Sequence, residues 1–138
     1  KVGILLKKIL TFIITVTIAF SLYVIWIKRS TTCMTCGLMS IGLPVSQLHL
    51  AILAFVGSTV IAISYFFSQK VRGLHYVSLG ISGISAAIAS FLISMQMKHI
   101  ICWSCFTTDI LFYLIFVLMC LDVYQIKEKY LITRRIAK

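Results

Sequence analysis

The chain has 138 residues, of which 61% are hydrophobic and only 12% are charged, and its formal net charge is +10. Soluble domains are about 45–50% apolar and about 25% charged, so the mean hydropathy of +1.08 excludes an ordinary soluble domain. A helix that crosses a bilayer needs about 20 mostly apolar residues, and four such helices use most of this length. We therefore predict a single all-α membrane domain over residues 1–138, a bundle of four membrane-spanning helices.

Charged residues mark the ends of four uncharged runs along the chain. The first run is followed by Lys28 and Arg29 rather than by a small-residue cleavage site, which predicts a retained helix and not a signal peptide. Pro44 stands where the first turn of the second helix would begin, a position that needs no backbone N–H. The predicted spans are approximately residues 9–27, 43–69, 73–97 and 100–124.

The connections between these spans differ in length. The second and third are very short, at residues 69–73 and 97–101, so consecutive helices should be antiparallel neighbours in a compact bundle. The first connection, about residues 28–43, is the one with room for chemistry.

Lysine and arginine are unequally distributed between the two ends of this bundle. Lys28, Arg29 and Lys98 fall on the side of the first connection, and the other ten of the 13 fall on the side of both termini. The positive-inside rule therefore predicts that both termini are cytoplasmic. The positive charge then indicates topology and attraction to anionic lipid, and no aromatic-interleaved basic groove points to nucleic acid.

Small residues recur in the third span at three- and four-residue spacing. Such residues let helix backbones approach closely, which is how membrane bundles pack. We assign to packing, rather than to ligand binding, Gly80, Gly83, Ser85, Ala86 and Ala87.

Four of the five cysteines form two Cys-x-x-Cys pairs, Cys33 with Cys36 and Cys102 with Cys105. The topology above uses no cysteine, yet it places both pairs at the outer face. Disulfides persist outside the cytoplasm, so two neighbouring pairs could pass electrons by thiol–disulfide exchange. Cys120, deep in the fourth span, is interpreted as a packed thiol.

The second pair is placed for reactivity. Cys102 falls in the first turn of the fourth helix, where the positive end of the helix dipole favours a thiolate. Cys105 lies one turn deeper on the same face, at the level of the lipid. An acceptor for its electrons must then be in the membrane, and a lipid-soluble quinone is the obvious one. The first pair lies in a polar stretch, residues 30–37, that could move as a shuttle.

Two other interpretations of the cysteines remain open. Each pair could be a permanent disulfide, or the four thiolates could hold zinc, because two Cys-x-x-Cys motifs match the spacing of zinc ribbons. A zinc site usually folds a loop that has no other core, whereas these helices fold in lipid. We therefore favour the electron relay and assign no metal.

Asp109 places a carboxylate within an apolar span, which is costly and indicates a function by default. It shares a helix face with Cys102 and Cys105. It could relay protons to a reduced quinone or could equally be held by hydrogen bonds for packing. His49 could line the same outer cavity and hydrogen-bond a quinone carbonyl, or simply be satisfied by a neighbour.

The remaining polar and aromatic residues receive lesser roles. Asp122 is expected at the interface, and His75 is expected to be inert on the cytoplasmic side. His99 precedes Cys102 and could help to stabilise its thiolate. Trp103 and Tyr23 are interpreted as interfacial anchors.

Two short strings resemble a known family. Residues 102–108, Cys-Trp-Ser-Cys-Phe-Thr-Thr, resemble the active-site run of the vitamin K epoxide reductase family, and residues 42–45, Gly-Leu-Pro-Val, are similar to a segment of its bacterial members. The order of elements resembles that family over essentially the whole chain. The resemblance implies a four-helix bundle, a cysteine pair in the loop after the first helix, and a second pair facing a bound quinone. It also implies that Cys105 and Thr108 lie beside the quinone.

The chain departs from that family in two places. Cys33 and Cys36 are spaced more tightly, as in the bacterial disulfide bond formation protein B, which keeps its other pair in a long outer loop that this chain lacks. Asp109 stands where vertebrate members have a tyrosine that contacts the quinone. These departures favour general quinone reduction over reduction of vitamin K epoxide.

We therefore expect a quinone-dependent thiol–disulfide oxidoreductase in a bacterial cell membrane, with its active site outside the cytoplasm. A thioredoxin-like protein or a secreted thiol client would reduce Cys33 and Cys36, which would reduce Cys102 and Cys105 through a bridge between Cys36 and Cys102. Ubiquinone, menaquinone or a related quinone would then accept the electrons. The alternative is a non-enzymatic membrane subunit with structural disulfides or a four-cysteine metal site.

Overall fold

The computed structural model describes residues 2–30, 47–71, 73–98 and 103–137, and these residues form four helices with no strand among them. All four helices are long and apolar enough to cross a membrane. The predicted all-α, four-span architecture is therefore confirmed. The helices are α1 (Val2–Ser30), α2 (Gln47–Ser68), α3 (Gly73–Gln96) and α4 (Trp103–Ile136).

The four helices form a ring in which α1 packs against α2 and α4, and α3 packs against the same two helices. One end of the bundle, here called the cysteine end, holds the carboxyl ends of α1 and α3 and the amino ends of α2 and α4. The opposite end, here called the termini end, holds the amino end of α1 and the carboxyl end of α4. This order brings together segments that are distant in sequence, such as the last turn of α1 and the first turn of α4.

Each helix buries one stripe against its neighbours. On α1 the buried residues recur every three or four positions, as an amphipathic helix requires: Leu6, Leu10, Ile14, Thr17, Ser21 and Val24. Large apolar side chains such as Phe12, Phe66 and Phe91 face away from the bundle. A membrane-spanning bundle needs this apolar outer surface because lipid, not water, surrounds it.

Most buried serine and threonine hydroxyls are hydrogen-bonded within their own helices. Ser78 instead donates to Met119 Sδ of α4 at 3.7 Å, and the buried Tyr65 hydroxyl has no partner among the described residues. Thr17 Oγ1 donates to the Ile13 carbonyl and Ser21 Oγ donates to the Thr17 carbonyl, each at 2.8 Å. In a hydrocarbon environment an unsatisfied donor is costly, so this bonding to the preceding turn lets serine and threonine be buried. A hydrogen bond between the Ser90 and Tyr113 hydroxyls joins α3 to α4.

The small residues of α3 divide between packing and other positions. A Cβ added at Gly83 would lie 3.3 Å from Cε2 of Phe116, so this glycine permits close approach of α3 and α4. Ala86 is buried in the same interface. Gly80 and Ala87 instead face outward, and the packing assignment does not extend to them.

The helices extend beyond the spans bounded by charge. α1 includes Lys7 and Lys8, and α4 continues without a break to Ile136. At 1.5 Å per residue, the 34 residues of α4 extend about 51 Å, well beyond a hydrocarbon core of about 30 Å. Charge therefore marks the expected membrane boundary and not the helix end. The predicted start of the second span at residue 43, with Pro44, lies outside the described residues.

Candidate functional site

Cys105 lies in the first turn of α4, half-buried at the cysteine end of the bundle. Lys28 lies in the last turn of α1, which adjoins that turn of α4 because the two helices are antiparallel neighbours. The Lys28 ammonium donates a hydrogen bond from Nζ to Cys105 Sγ at 3.1 Å. The fold thus places a cation against the Cys105 sulfur, which belongs to the second cysteine pair, Cys102 and Cys105, here called the inner pair.

Two electrostatic effects favour the anionic form of this sulfur. The neighbouring ammonium supplies a full positive charge within hydrogen-bonding distance, and the first turn of α4 supplies the positive end of a helix dipole. Both effects are strong here because a partly buried site is screened less than one in bulk water. A lysine in the last turn of a helix also suits that helix's own dipole, but that effect alone would not direct the ammonium to a sulfur atom.

Asp109 lies one turn beyond Cys105, about 6 Å further along the axis of α4. Its side chain is buried, at 5% exposure, and its Oδ2 has no hydrogen-bond partner among the residues that the structure describes. Leaving a buried polar group unpaired costs about 1–3 kcal/mol, and more for a charged one. This carboxyl is therefore the least satisfied polar group near Cys105.

A cleft between α2 and α3 leads to this carboxyl. It has a volume of about 120 Å³, with Asp109 and Phe112 of α4 on its inner wall. The α2 and α3 walls are almost wholly apolar and include Leu53, Ala54, Gly57, Ser85, Ile88 and Leu92. A cavity of about 150 Å³ holds one benzene molecule, so this cleft has room for roughly one six-membered ring.

Gly57 keeps the cleft open. A Cβ at this position would meet only Phe112 Cζ and Ser85 Oγ, both at 4.0 Å. The glycine is therefore not required by a steric clash. Its effect is to leave the space in front of the Asp109 wall unfilled.

The other predicted quinone-binding residues are less directly placed. Thr108 is buried, but its Oγ1 donates to the Ser104 carbonyl at 2.9 Å, and it is not among the described residues that line the cleft. His49 is exposed in the first turn of α2, where its neighbour Leu50 lines the cleft instead.

Three of the four predicted redox cysteines, Cys33, Cys36 and Cys102, lie outside the described residues, as does His99. The pairing of those cysteines stays a prediction. The four-cysteine metal alternative depends on the same three residues. Within the described ranges, no three His, Cys, Asp or Glu side chains come together as a metal-binding group.

The sequence predicts Lys28 only as the charge that ends the first span, and not as a site residue. A lysine on the side of the bundle with few cations is unusual under the positive-inside rule, and this is the sequence feature that could have indicated a special role. The contact of Lys28 with Cys105 depends on which helices adjoin, which no local pattern in the sequence states.

Asp122, expected at the interface, is buried within the bundle at 4% exposure, with its Oδ2 4.0 Å from Nδ1 of His75. The predicted interfacial depth of Asp122 and the predicted inertness of His75 stay predictions. Cys120, expected to be packed, is an exposed free cysteine on the outer surface of α4. The helix rotation that buries Asp122 and Met119 turns Cys120 toward the lipid.

Comparison with protein-family models, with curated proteins and with solved structures finds no match to this chain.

Proposed function

We propose that this protein is a membrane thiol–disulfide oxidoreductase that passes electrons from thiols outside the cytoplasm to a membrane quinone. The observation that supports it most is the contact between Lys28 Nζ and Cys105 Sγ at 3.1 Å. A purely structural cysteine needs no cation, whereas a cysteine that reacts as a thiolate is activated by one.

In the proposed reaction the outer pair, Cys33 and Cys36, oxidises a dithiol of a thioredoxin-like partner or secreted client and becomes reduced. It then reduces the disulfide of Cys102 and Cys105 by thiol–disulfide exchange. When the inner pair closes again, the Cys102 thiol and the Cys105 thiolate lose two electrons and one proton as the S–S bond forms. A quinone accepts the two electrons, that proton and a second proton from the Asp109 carboxyl, which is reprotonated from solvent, and leaves as the hydroquinone.

Lys28 and Asp109 have separate roles in this scheme. Lys28 holds Cys105 as the thiolate, the form that reacts. Asp109 supplies a proton or a hydrogen bond at the wall of the cleft, where its Oδ2 lacks a protein partner. The volume of about 120 Å³ has room for roughly one unsubstituted six-membered ring, so the second ring of a menaquinone, the methoxy groups of a ubiquinone and the isoprenoid tail would lie outside the cleft, in the lipid.

The orientation and location of this activity are part of the proposal. The excess of lysine and arginine at the termini end supports cytoplasmic termini and a cysteine end outside the cytoplasm. The resemblance of residues 102–108 to the vitamin K epoxide reductase family supports the assignment of the reaction, and a bacterial cell membrane would supply both the quinone and the thiol partner.

The test is dithiol-dependent quinone reduction by the protein in lipid nanodiscs that contain a ubiquinone or menaquinone analogue. Dithiothreitol supplies electrons, and the absorbance change of the quinone measures the rate. Wild-type protein should catalyse the reaction, and Lys28→Met should slow it about tenfold, since a hydrogen bond to a charged group contributes about 1.5–3 kcal/mol. Arg29→Met is the matched control because Arg29 is in the same helical turn but exposed.

Two outcomes would contradict the proposal. If the wild-type protein transfers no electrons from dithiol to quinone, the oxidoreductase assignment is wrong, and a subunit with structural disulfides or a metal site is favoured. If Lys28→Met and Arg29→Met behave alike, Lys28 has no special role at Cys105.

A further inference from the structure

A second and larger cavity lies at the termini end of the bundle, opposite Cys105. Its volume is about 820 Å³, and residues of all four helices or their adjoining turns contribute to its walls. α1 contributes Lys7, the turn after α2 contributes Lys70, and α4 contributes Lys127 and Lys129. Four lysines from three separate parts of the chain therefore line one cavity.

The charge of this cavity is not balanced by its own walls. None of the described residues that line it is acidic. The nearest buried carboxylate on α4, Asp122, is directed to His75, with 4.0 Å between Oδ2 and Nδ1. Like charges gathered in one concave site raise the local positive potential, and an anionic ligand would relieve it.

The position of the cavity indicates the depth of that ligand. Lys70 follows α2 by two residues, and Lys7 precedes the predicted hydrophobic span of α1. The cavity is thus at the level where the apolar helix surfaces end and lipid headgroups begin. Tyr76 and Tyr130 also line it, and tyrosine is enriched at this interface.

We propose that this basic cavity binds the phosphate-bearing headgroup of an anionic phospholipid. Basic pockets between membrane helices bind such headgroups, and the volume is within the range of about 300–1,000 Å³ that is usual for ligand sites. The acyl chains would lie against the exposed apolar side chains next to the cavity, among them Val77 and Phe67. Topology alone would place lysines at this end, but it does not require them to line one cavity.

The test uses delipidated full-length protein in neutral detergent and counts bound lipid by native mass spectrometry. The probes are a phosphatidylglycerol, a phosphatidylcholine with the same acyl chains, and inorganic phosphate. Phosphatidylglycerol should be retained in preference to both others. A triple variant, Lys7→Gln, Lys70→Gln and Lys127→Gln, should reduce its binding at least about tenfold, since each lysine near a lipid surface contributes to attraction.

The matched control is a second triple variant, Lys8→Gln, Arg134→Gln and Arg135→Gln. These three residues are exposed, lie toward the same end of the protein and do not line the cavity, so the loss of net charge is the same. Binding by the control should stay within about twofold of wild type. Equal losses in the two variants would indicate diffuse attraction and overturn the site. Equal retention of phosphatidylcholine, or binding of inorganic phosphate as strong as that of the lipid, would overturn the assignment to an anionic phospholipid.

Discussion

At the scale of single residues, the contact between Lys28 and Cys105 brings together two groups that would each be costly alone near the membrane. A lysine at the end of a span can extend its ammonium toward the headgroups, where it is hydrated. Lys28 instead donates to a half-buried sulfur. An ammonium within hydrogen-bonding distance stabilises a sulfur that carries negative charge, and the sulfur gives the ammonium a partner in place of water.

We expect Lys28→Met to slow alkylation of Cys105 at a fixed neutral pH by about tenfold, because a charge-assisted hydrogen bond contributes about 1.5–3 kcal/mol and the thiolate is the nucleophile. The measurement is timed reaction of reduced protein with iodoacetamide, followed by mass spectrometry of the peptide that contains Cys105. Arg29→Met, a change at an exposed residue of the same helical turn, serves as the control. An equal slowing in Arg29→Met would point to a general loss of charge near Cys105 and not to loss of the Lys28 contact.

Asp109→Asn should slow quinone reduction by roughly 10²-fold, the lower end of what proton transfer by a positioned group contributes. Asparagine keeps the size and the hydrogen-bonding capacity of the side chain but has no proton to give at neutral pH. Folded yield and thiol exchange with a small dithiol should be unchanged. Asp122→Asn, a change at a buried aspartate of the opposite end, should leave quinone turnover intact. Unchanged turnover in Asp109→Asn would assign Asp109 to structure.

At the scale of helices, the cleft between α2 and α3 exists because small residues face each other there. Gly57 and Ala54 of α2 lie opposite Ser85 and Ala89 of α3. Larger residues would fill this space and cover the Asp109 carboxyl. Small side chains on both helices leave an opening here, and Phe112 of α4 forms its inner wall without filling it.

Gly57→Ala should raise the KM for quinone severalfold without loss of folded protein. The added methyl group would be in ordinary contact with Phe112 and Ser85 at 4.0 Å, so it occupies the cleft without a clash. Alanine is also favoured over glycine in a helix by about 1 kcal/mol. The control is Gly80→Ala, whose added methyl group meets nothing within 4 Å. This variant should therefore gain helix propensity without filling the cleft. A KM that is the same in both variants would exclude the cleft as the quinone site.

The sequence predicted the helices better than it predicted the site. Charges such as Lys70 and Lys98 bound the apolar runs, and hydropathy over about 20 residues is a strong signal, so the number and order of the helices were correct. The predicted span of residues 100–124 gives the membrane boundary and not the helix end, and α4 continues to Ile136 because lysine and glutamate in residues 125–136 favour helix as well as water. The Lys28 contact and the cleft depend on helix order and rotation, which the apolar runs do not specify.

At the scale of the whole molecule, the two ends of the bundle have different chemistry. The cysteine end places a single cation on a sulfur, and the termini end gathers four lysines around a cavity. Anchoring of the termini end by anionic lipid would hold the cysteine end at a fixed depth, where the cleft opens toward quinone in the lipid.

The order of the proposed relay can be tested by trapping it. Cys36 is nearer than Cys33 to the second helix, and Cys102 is the outermost cysteine of the fourth, so the bridge between the pairs should join Cys36 to Cys102. When Cys36 attacks Cys102 it displaces Cys105, which lies one turn deeper in contact with Lys28, and Cys33 then resolves the bridge by attacking Cys36. Cys105 can only reverse the first step, by attacking Cys102. Without Cys105, a bridge that Cys102 forms with the oxidised outer pair loses this exit, so Cys105→Ala should accumulate the bridge between Cys36 and Cys102.

Mass spectrometry of the Cys105→Ala protein after non-reducing digestion measures this outcome. The control is Cys120→Ala, which should accumulate no bridge because Cys120 lies on the outer surface of α4. Lys28→Met should behave as a partial version of Cys105→Ala, because Cys105 without the neighbouring ammonium is less often a thiolate and reverses the bridge more slowly. A dominant bridge between Cys33 and Cys102 would reverse the order within the outer pair. Absence of any bridge between the pairs in Cys105→Ala would remove the relay and leave Lys28 and Cys105 as a local contact between α1 and α4.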